Sequence, residues 1–93
     1  MKAVWRGQVI AESDRILEVG GYTYFPRAAV RMDLLHATPK TESDLACPHG
    51  VQFYDVTSEA ARSERAAWSY EAPRASRRQV DHWIGFWRDV AIE

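Results

Sequence analysis

A single cysteine, Cys47, stands among the 93 residues, so no internal disulfide can form. Small secreted domains usually depend on such bridges, and their exclusion fits a reducing compartment, read here as the cytoplasm. An excess of charge of one sign is also missing, because twelve basic residues against thirteen acidic ones leave a formal charge of -1. With no global field to hold phosphate backbones, nucleic acid is not indicated as a partner. Long apolar runs are absent too. The opening stretch MKAVWRGQVIAESD meets Arg6 and Gly7 before any run reaches the length of a signal peptide or a membrane span, so a membrane is not expected as a partner. Neither a GxxxxGKS loop nor a GxGxxG run occurs, which leaves nucleotide chemistry without a phosphate cradle. Repeats, low-complexity tracts and linkers are lacking as well, and residues 1–93 are read as one domain.

What is present is aromatic: four tryptophans, four tyrosines and three phenylalanines. A chain of this length buries only roughly 60% of its unfolded surface, so these rings are core candidates first. Ala3, Trp5, Gly7, Val9 and Ala11 alternate with more polar neighbours and predict one half-buried strand. ESD then offers turn residues and RILEV a second strand, giving a hairpin over residues 1–19 that Gly20 and Gly21 close. YTYF reads as a strand ended by Pro26, followed by a turn over residues 26–29 and a further strand through Val30, Met32 and Leu34. Residues 38–50, TPKTESDLACPHG, read as a loop long enough to carry function. VQFYDV alternates as a strand, residues 58–67 suit either a short helix or a hairpin connection, and WSYEA returns to strand character. Over residues 76–92 the pattern is divided. Val80, Trp83, Ile84, Trp87 and Ala91 recur at helical spacing behind a Ser76 and Gln79 capping box, yet GFWRDVAI also alternates as a strand.

Taken together, YFPRAAV, CPHG followed by FYDV, and AAWSYEAP followed by GFW resemble the small bacterial family known as domain of unknown function number 427, labelled nucleotidyltransferase-like in some collections. The positions that carry the resemblance are Tyr24, Phe25, Pro26, Val30, Cys47, Gly50, Tyr54, Ala67, Trp68, Tyr70, Pro73, Phe86 and Trp87, with Glu18 at an acidic position. The resemblance implies a mainly β fold, a compact antiparallel single domain of β-tent, small sandwich or barrel type, with at most one or two short helices. It also lowers the weight of the C-terminal helix. Many family members carry Cys-Pro-aromatic-Lys-Gly where this chain reads Cys47, Pro48, His49, Gly50, so a role resting on a lysine cation there is not carried over.

Three constellations compete for function. Cys47 with His49 or Glu18 pairs a thiol with a base, which would make the protein a small enzyme with Cys47 as nucleophile; the plain alternative is a packing cysteine beside a turn. Cys47, His36, His49 and His82 are the only soft or imidazole ligands, and neither CxxC nor HxxxH spacing joins them, so no metal site is expected. Tyr22, Tyr24, Trp68 and Tyr70 stand at i and i+2 on two predicted strands and would line one face, either as a core edge or as an aromatic pocket. Tyr24, Trp68 and Tyr70 would then form its walls, with Glu18, Arg27 and Cys47 at the rim. Arg74, Arg77 and Arg78 read as a solvated basic loop. The leading expectation is a domain that binds a small molecule or a peptide segment in that pocket with no cofactor. An exposed patch of tryptophans would instead make it a protein-interaction module or a homodimer.

Overall fold

The computed structural model describes residues 1–93, apart from the side chain of Ser76. Among the described residues, nine strands build two antiparallel sheets, one of three strands and one of six, with a single five-residue α-helix. The expected mainly β, antiparallel class is what forms.

The first departure lies at Arg6 and Gly7. Both adopt left-handed backbone angles, φ 52° and 79°, which suits a two-residue hairpin turn whose twist matches its strands. Where one strand over residues 3–11 was expected, the chain therefore folds on itself into β1 (Lys2–Trp5) and β2 (Gln8–Glu12). The alternation was real, but a turn interrupts it, and a bulge then restores Ile10 and Ala11 to the core.

The second strand pair changes partner for the same kind of reason. Gly20 and Gly21, φ 61° and 86°, turn β3 (Leu17–Val19) back onto β4 (Tyr22–Phe25). RILEV thus pairs with YTYF, and the expected hairpin of residues 1–19 does not form. Pro26 ends β4 as expected and leads into a 3-10 turn, Arg27–Ala29. The strand expected next is mostly absent: Met32–Leu34 is a second 3-10 turn, and only β5 (Leu35–Ala37) is extended. Val30 bridges to Ala11, and the Arg31 N–H donates to the Ile10 carbonyl at 2.8 Å, tying this segment to the small sheet.

Residues 38–50 are not all loop. Thr41 and Asp44 cap each other reciprocally, each side chain accepting the other's backbone N–H, and they start α1 (Glu42–Ala46). The ambiguous stretch after β6 (Val51–Thr57) is a hairpin, closed by Ser58 N–H to the Ala61 carbonyl and continued as β7 (Arg62–Tyr70). No C-terminal helix forms. Ala75–Val80 is a 3-10 segment starting from Arg74, β8 (Ile84–Phe86) slots between β4 and β7, and β9 (Ala91–Ile92) joins β1. The helical spacing of Val80, Trp83, Ile84 and Trp87 is overridden because pairing on both sides of β8 satisfies its backbone. The capping box read at Ser76 and Gln79 involves a side chain outside the described residues.

The six strands run β3, β4, β8, β7, β6, β5. One face of this sheet closes on the small sheet: Phe25, Ile84, Phe86, Ala67, Tyr54 and Val56 meet Ala3, Trp5, Ile10 and Ala11 in one cluster. Most of these side chains are buried almost completely. Among the described residues no helix is long and apolar enough to cross a membrane.

Candidate functional site: an outward aromatic face

Strand alternation sends the neighbours of those core residues to the opposite face of the large sheet. In register across it stand Tyr24 opposite Gly85, Gly85 opposite Trp68, Trp68 opposite Phe53, and Tyr70 opposite Val51. The outer face of a two-layer β fold is ordinarily polar and wet. Here it carries a second apolar cluster of Tyr24, Val51, Trp68 and Val80, against which Phe53, Tyr70, Trp83 and Trp87 pack.

Gly85 makes this possible. It lies in the central strand between Tyr24 and Trp68, and a Cβ there would sit 2.7 Å from Trp68 Cζ2 and 2.8 Å from Cε2. The indole occupies the space a side chain would take, and so reaches Tyr24 edge to face at 5.8 Å. Beyond it, three rings stand nearly perpendicular to one another: Tyr22 to Trp68 at 86°, Tyr22 to Trp87 at 81°, and Trp68 to Trp87 at 74°, with centroids 5.0, 6.4 and 5.6 Å apart. They form a corner. With Phe53, Tyr70 and Val51 it encloses an open concavity of about 150 Å³. Tyr22 is 41% exposed, so the corner faces solvent on one side.

Two devices hold these walls. At a bulge, Asp55 of β6 lies opposite Glu64, Arg65 and Ala66 of β7, and Arg65 takes a left-handed φ of 53°. Carbonyls that leave the ladder need other donors. The Arg65 carbonyl accepts the Trp87 indole N–H, the Ala66 carbonyl accepts the Trp87 backbone N–H at 3.0 Å, and the Glu64 carbonyl accepts from Arg88 at 3.3 Å. The second device is an ion pair. Arg65 lies over the Phe53 ring at 4.0 Å and grips Asp44 with two hydrogen bonds of 2.8 and 3.1 Å. Those bonds hold the buried Asp44 carboxyl down to about 2, against the opposing pull of desolvation. Through Asp44, helix α1 is fastened beside the aromatic cluster.

Beneath the corner, burial is the main cause that pushes the Tyr24 hydroxyl up to about 12; the neighbouring Tyr70 adds to it, while a hydrogen bond from Trp68 and the charge of Arg77 pull the other way. Tyr24 therefore stays protonated near neutrality. Arg77 itself is half-buried, and its guanidinium lies close enough to the turn before Tyr22 that a Cβ on Gly20 would be 3.1 Å from it.

Of the residues read from the sequence as pocket walls, Tyr24, Trp68 and Tyr70 do come together. Cys47 caps the end of α1, is half-buried, and packs against the same cluster as a free thiol. His49 stacks near Tyr70 with centroids 5.1 Å apart, and its Nδ1 accepts the Arg74 backbone N–H at 2.9 Å. Glu18 is exposed on β3 between Leu17 and Val19, which both pack on the aromatic cluster, so its carboxylate leaves by the other face. Arg27 stands apart from the concavity. Its guanidinium donates to the His82 carbonyl at 3.0 Å, to the buried Ser69 hydroxyl at 3.1 Å and to Glu71 at 3.4 Å, joining the turn after β4 to the end of β7. His82 completes that polar knot by meeting Glu71 and Asp81.

Phe53, Trp87, Gly85 and the Asp44 and Arg65 pair were not anticipated as parts of the site. Two had a signal: a lone glycine inside the aromatic strand IGFW marks a close approach, and TESD is a capping pattern. The Arg65 contact had none, because it depends on the bulge.

No curated protein matches the chain. The pattern of a family described as a domain of unknown function (DUF427) matches residues 1–93, and the chain belongs to that family.

Proposed function

We propose that this DUF427 member is a binding domain of a reducing, cytoplasmic setting that seats the apolar part of a small molecule, or a peptide side chain, on its outward aromatic face near Cys47. The observation that carries the reading is the concavity of mutually perpendicular rings on a sheet face where polar side chains are the rule. Aromatic walls supply contact area at little entropic cost, and partly exposed ones at the corner leave it open to a visitor.

Tryptophan fluorescence during titration with a metabolite panel tests it, since Trp68 and Trp87 are two walls. A ligand that shifts the emission should lose affinity in Tyr22→Ala and in Phe53→Ala, and keep it in Val9→Ala, an exposed apolar residue of the other sheet. Unchanged affinity in a folded Tyr22→Ala protein would reject the reading. Emission that instead follows protein concentration alone would make the face a contact between two copies.

A further inference from the structure

Resting on that reading, we infer that the ligand is a free small molecule that presents one uncharged aromatic ring, bare of hydrogen-bonding groups, to the corner of Tyr22, Trp68 and Trp87, and that charged rings and nucleobases are refused. Ligand sites ordinarily keep a few polar groups that fix the orientation of a guest. Here those groups are already taken. The Trp87 indole N–H donates to the Arg65 carbonyl, and the Trp68 indole N–H donates to the Tyr24 hydroxyl, which is also hydrogen-bonded to Tyr70. Val51 and Phe53, two further walls, have no polar side-chain atom. Among the described residues no buried side-chain nitrogen or oxygen is left without a partner. A nucleobase carries donors and acceptors around its edge, and burial here would strip them of water without replacement.

Charge is refused for a related reason. None of the six residues around the concavity is an Asp, Glu, Lys, Arg or His, so an ion would shed its water against no counter-charge. A cation would seek the ring faces. Guanidinium groups already stand on two of them, Arg65 over Phe53 at 4.0 Å and Arg88 over Trp87 at 4.8 Å, and would repel it. An anion finds Arg65 held by Asp44 through two hydrogen bonds, and Arg88 exposed where water and salt screen it.

Size and backbone pairing decide the rest. The concavity is about 150 Å³, and an apolar cavity of roughly that volume holds one benzene ring. Three of its walls meet at 74 to 86°, so a flat ring stacked on one wall meets the others edge-on, as aromatic pairs prefer. Tyr22, Val51, Phe53, Trp68 and Tyr70 stand on β4, β6 and β7, and each of these strands has a neighbour on both sides. An extended peptide crossing the corner therefore meets no open strand edge for its own N–H and C=O groups. A free ring has no such groups to satisfy.

Toluene, benzoate, benzylammonium, uracil and N-acetylphenylalaninamide each offer one ring and differ in charge, polarity or attached backbone. Titrated against the whole protein by ligand-observed NMR, toluene should bind at least about tenfold more tightly than benzoate, benzylammonium or uracil. The capped phenylalanine should bind more weakly than toluene, and the order should hold at low and high salt alike. Benzoate, benzylammonium or uracil binding as tightly as toluene, with that binding lost in Tyr22→Ala, overturns the uncharged ring while leaving the aromatic site standing. Tightest binding of the capped phenylalanine overturns the free ligand in favour of a peptide. Failure of all five to bind the folded protein, or binding that Tyr22→Ala leaves untouched, overturns both this inference and the aromatic site.

Discussion

The two faces of the six-stranded sheet are made from alternate residues of the same strands, yet they are opposites. The inner face uses aliphatic and small side chains with Phe25, Phe86 and Tyr54, and closes against a second sheet. The outer face uses Tyr22, Phe53, Trp68, Tyr70 and Trp87, and closes only in part, against α1 and the segment around Val80 and Trp83. A small domain has few apolar residues to spend beyond its core. That so many of the largest stand on the second face gives the sheet a second packed cluster, and it is this cluster that the proposed binding role would use.

Breaking the inner face should have the largest effect. Phe25 is fully buried, and Phe25→Ala should cost about 4 kcal/mol in denaturant unfolding, with little chance of relaxation around the cavity. Next comes Gly85→Ala. The new methyl would meet the Trp68 ring at 2.7 Å, and an overpacked site of this kind should cost about 2 to 3 kcal/mol. Double substitution with Trp68→Leu should recover much of the loss, which separates a steric clash from a backbone effect.

Asp44→Ala follows, at about 2 kcal/mol near pH 7. The carboxyl is held at about 2 in the fold against 3.8 for the free group, so its contribution is complete above about pH 4 and disappears as pH falls toward 2. Urea midpoints of native and variant protein should therefore differ most at neutral pH and converge in acid. A constant difference over that range would mean that the Arg65 contact is not electrostatic. Tyr22→Ala should cost less than about 1 kcal/mol, since the ring is already 41% exposed, while its effect on binding should be large. Smallest of all is His49→Ala on the thiol. Because His49 Nδ1 is engaged by Arg74, alkylation of Cys47 should keep the same rate and the same pH profile in the variant; a clear slowing would restore His49 as its base.

The sequence made the strands of the large sheet legible where alternation ran between clear stops, as in YTYF before Pro26 and VQFYDV after Gly50. It also brought Tyr24, Trp68 and Tyr70 to one face, because a period of two needs no tertiary knowledge. Errors came where one residue changed the direction of the chain. Arg6 has no local reason to take a left-handed φ except the glycine beside it, and so a strand that looked continuous was two. At the C-terminus the apolar spacing fitted a helix and a strand alike, and only the neighbours of β8 decide between them. Arg27 illustrates a different limit. Its charge and position marked it as a ligand group, but Glu71, Ser69 and the His82 carbonyl, more than forty residues away along the chain, already absorb it.

The bulge in β7 links the length of a hairpin to the shape of a recess. Because the carbonyls of Glu64, Arg65 and Ala66 are all taken up by Trp87 and Arg88, the position of one aromatic wall is written in how many residues β7 spends opposite Asp55. Inserting or deleting a residue between Ser63 and Ala67 would shift that wall without altering any ring in the corner. The number of residues in that bulge alone can thus reshape the recess, with an identical set of aromatic residues around it.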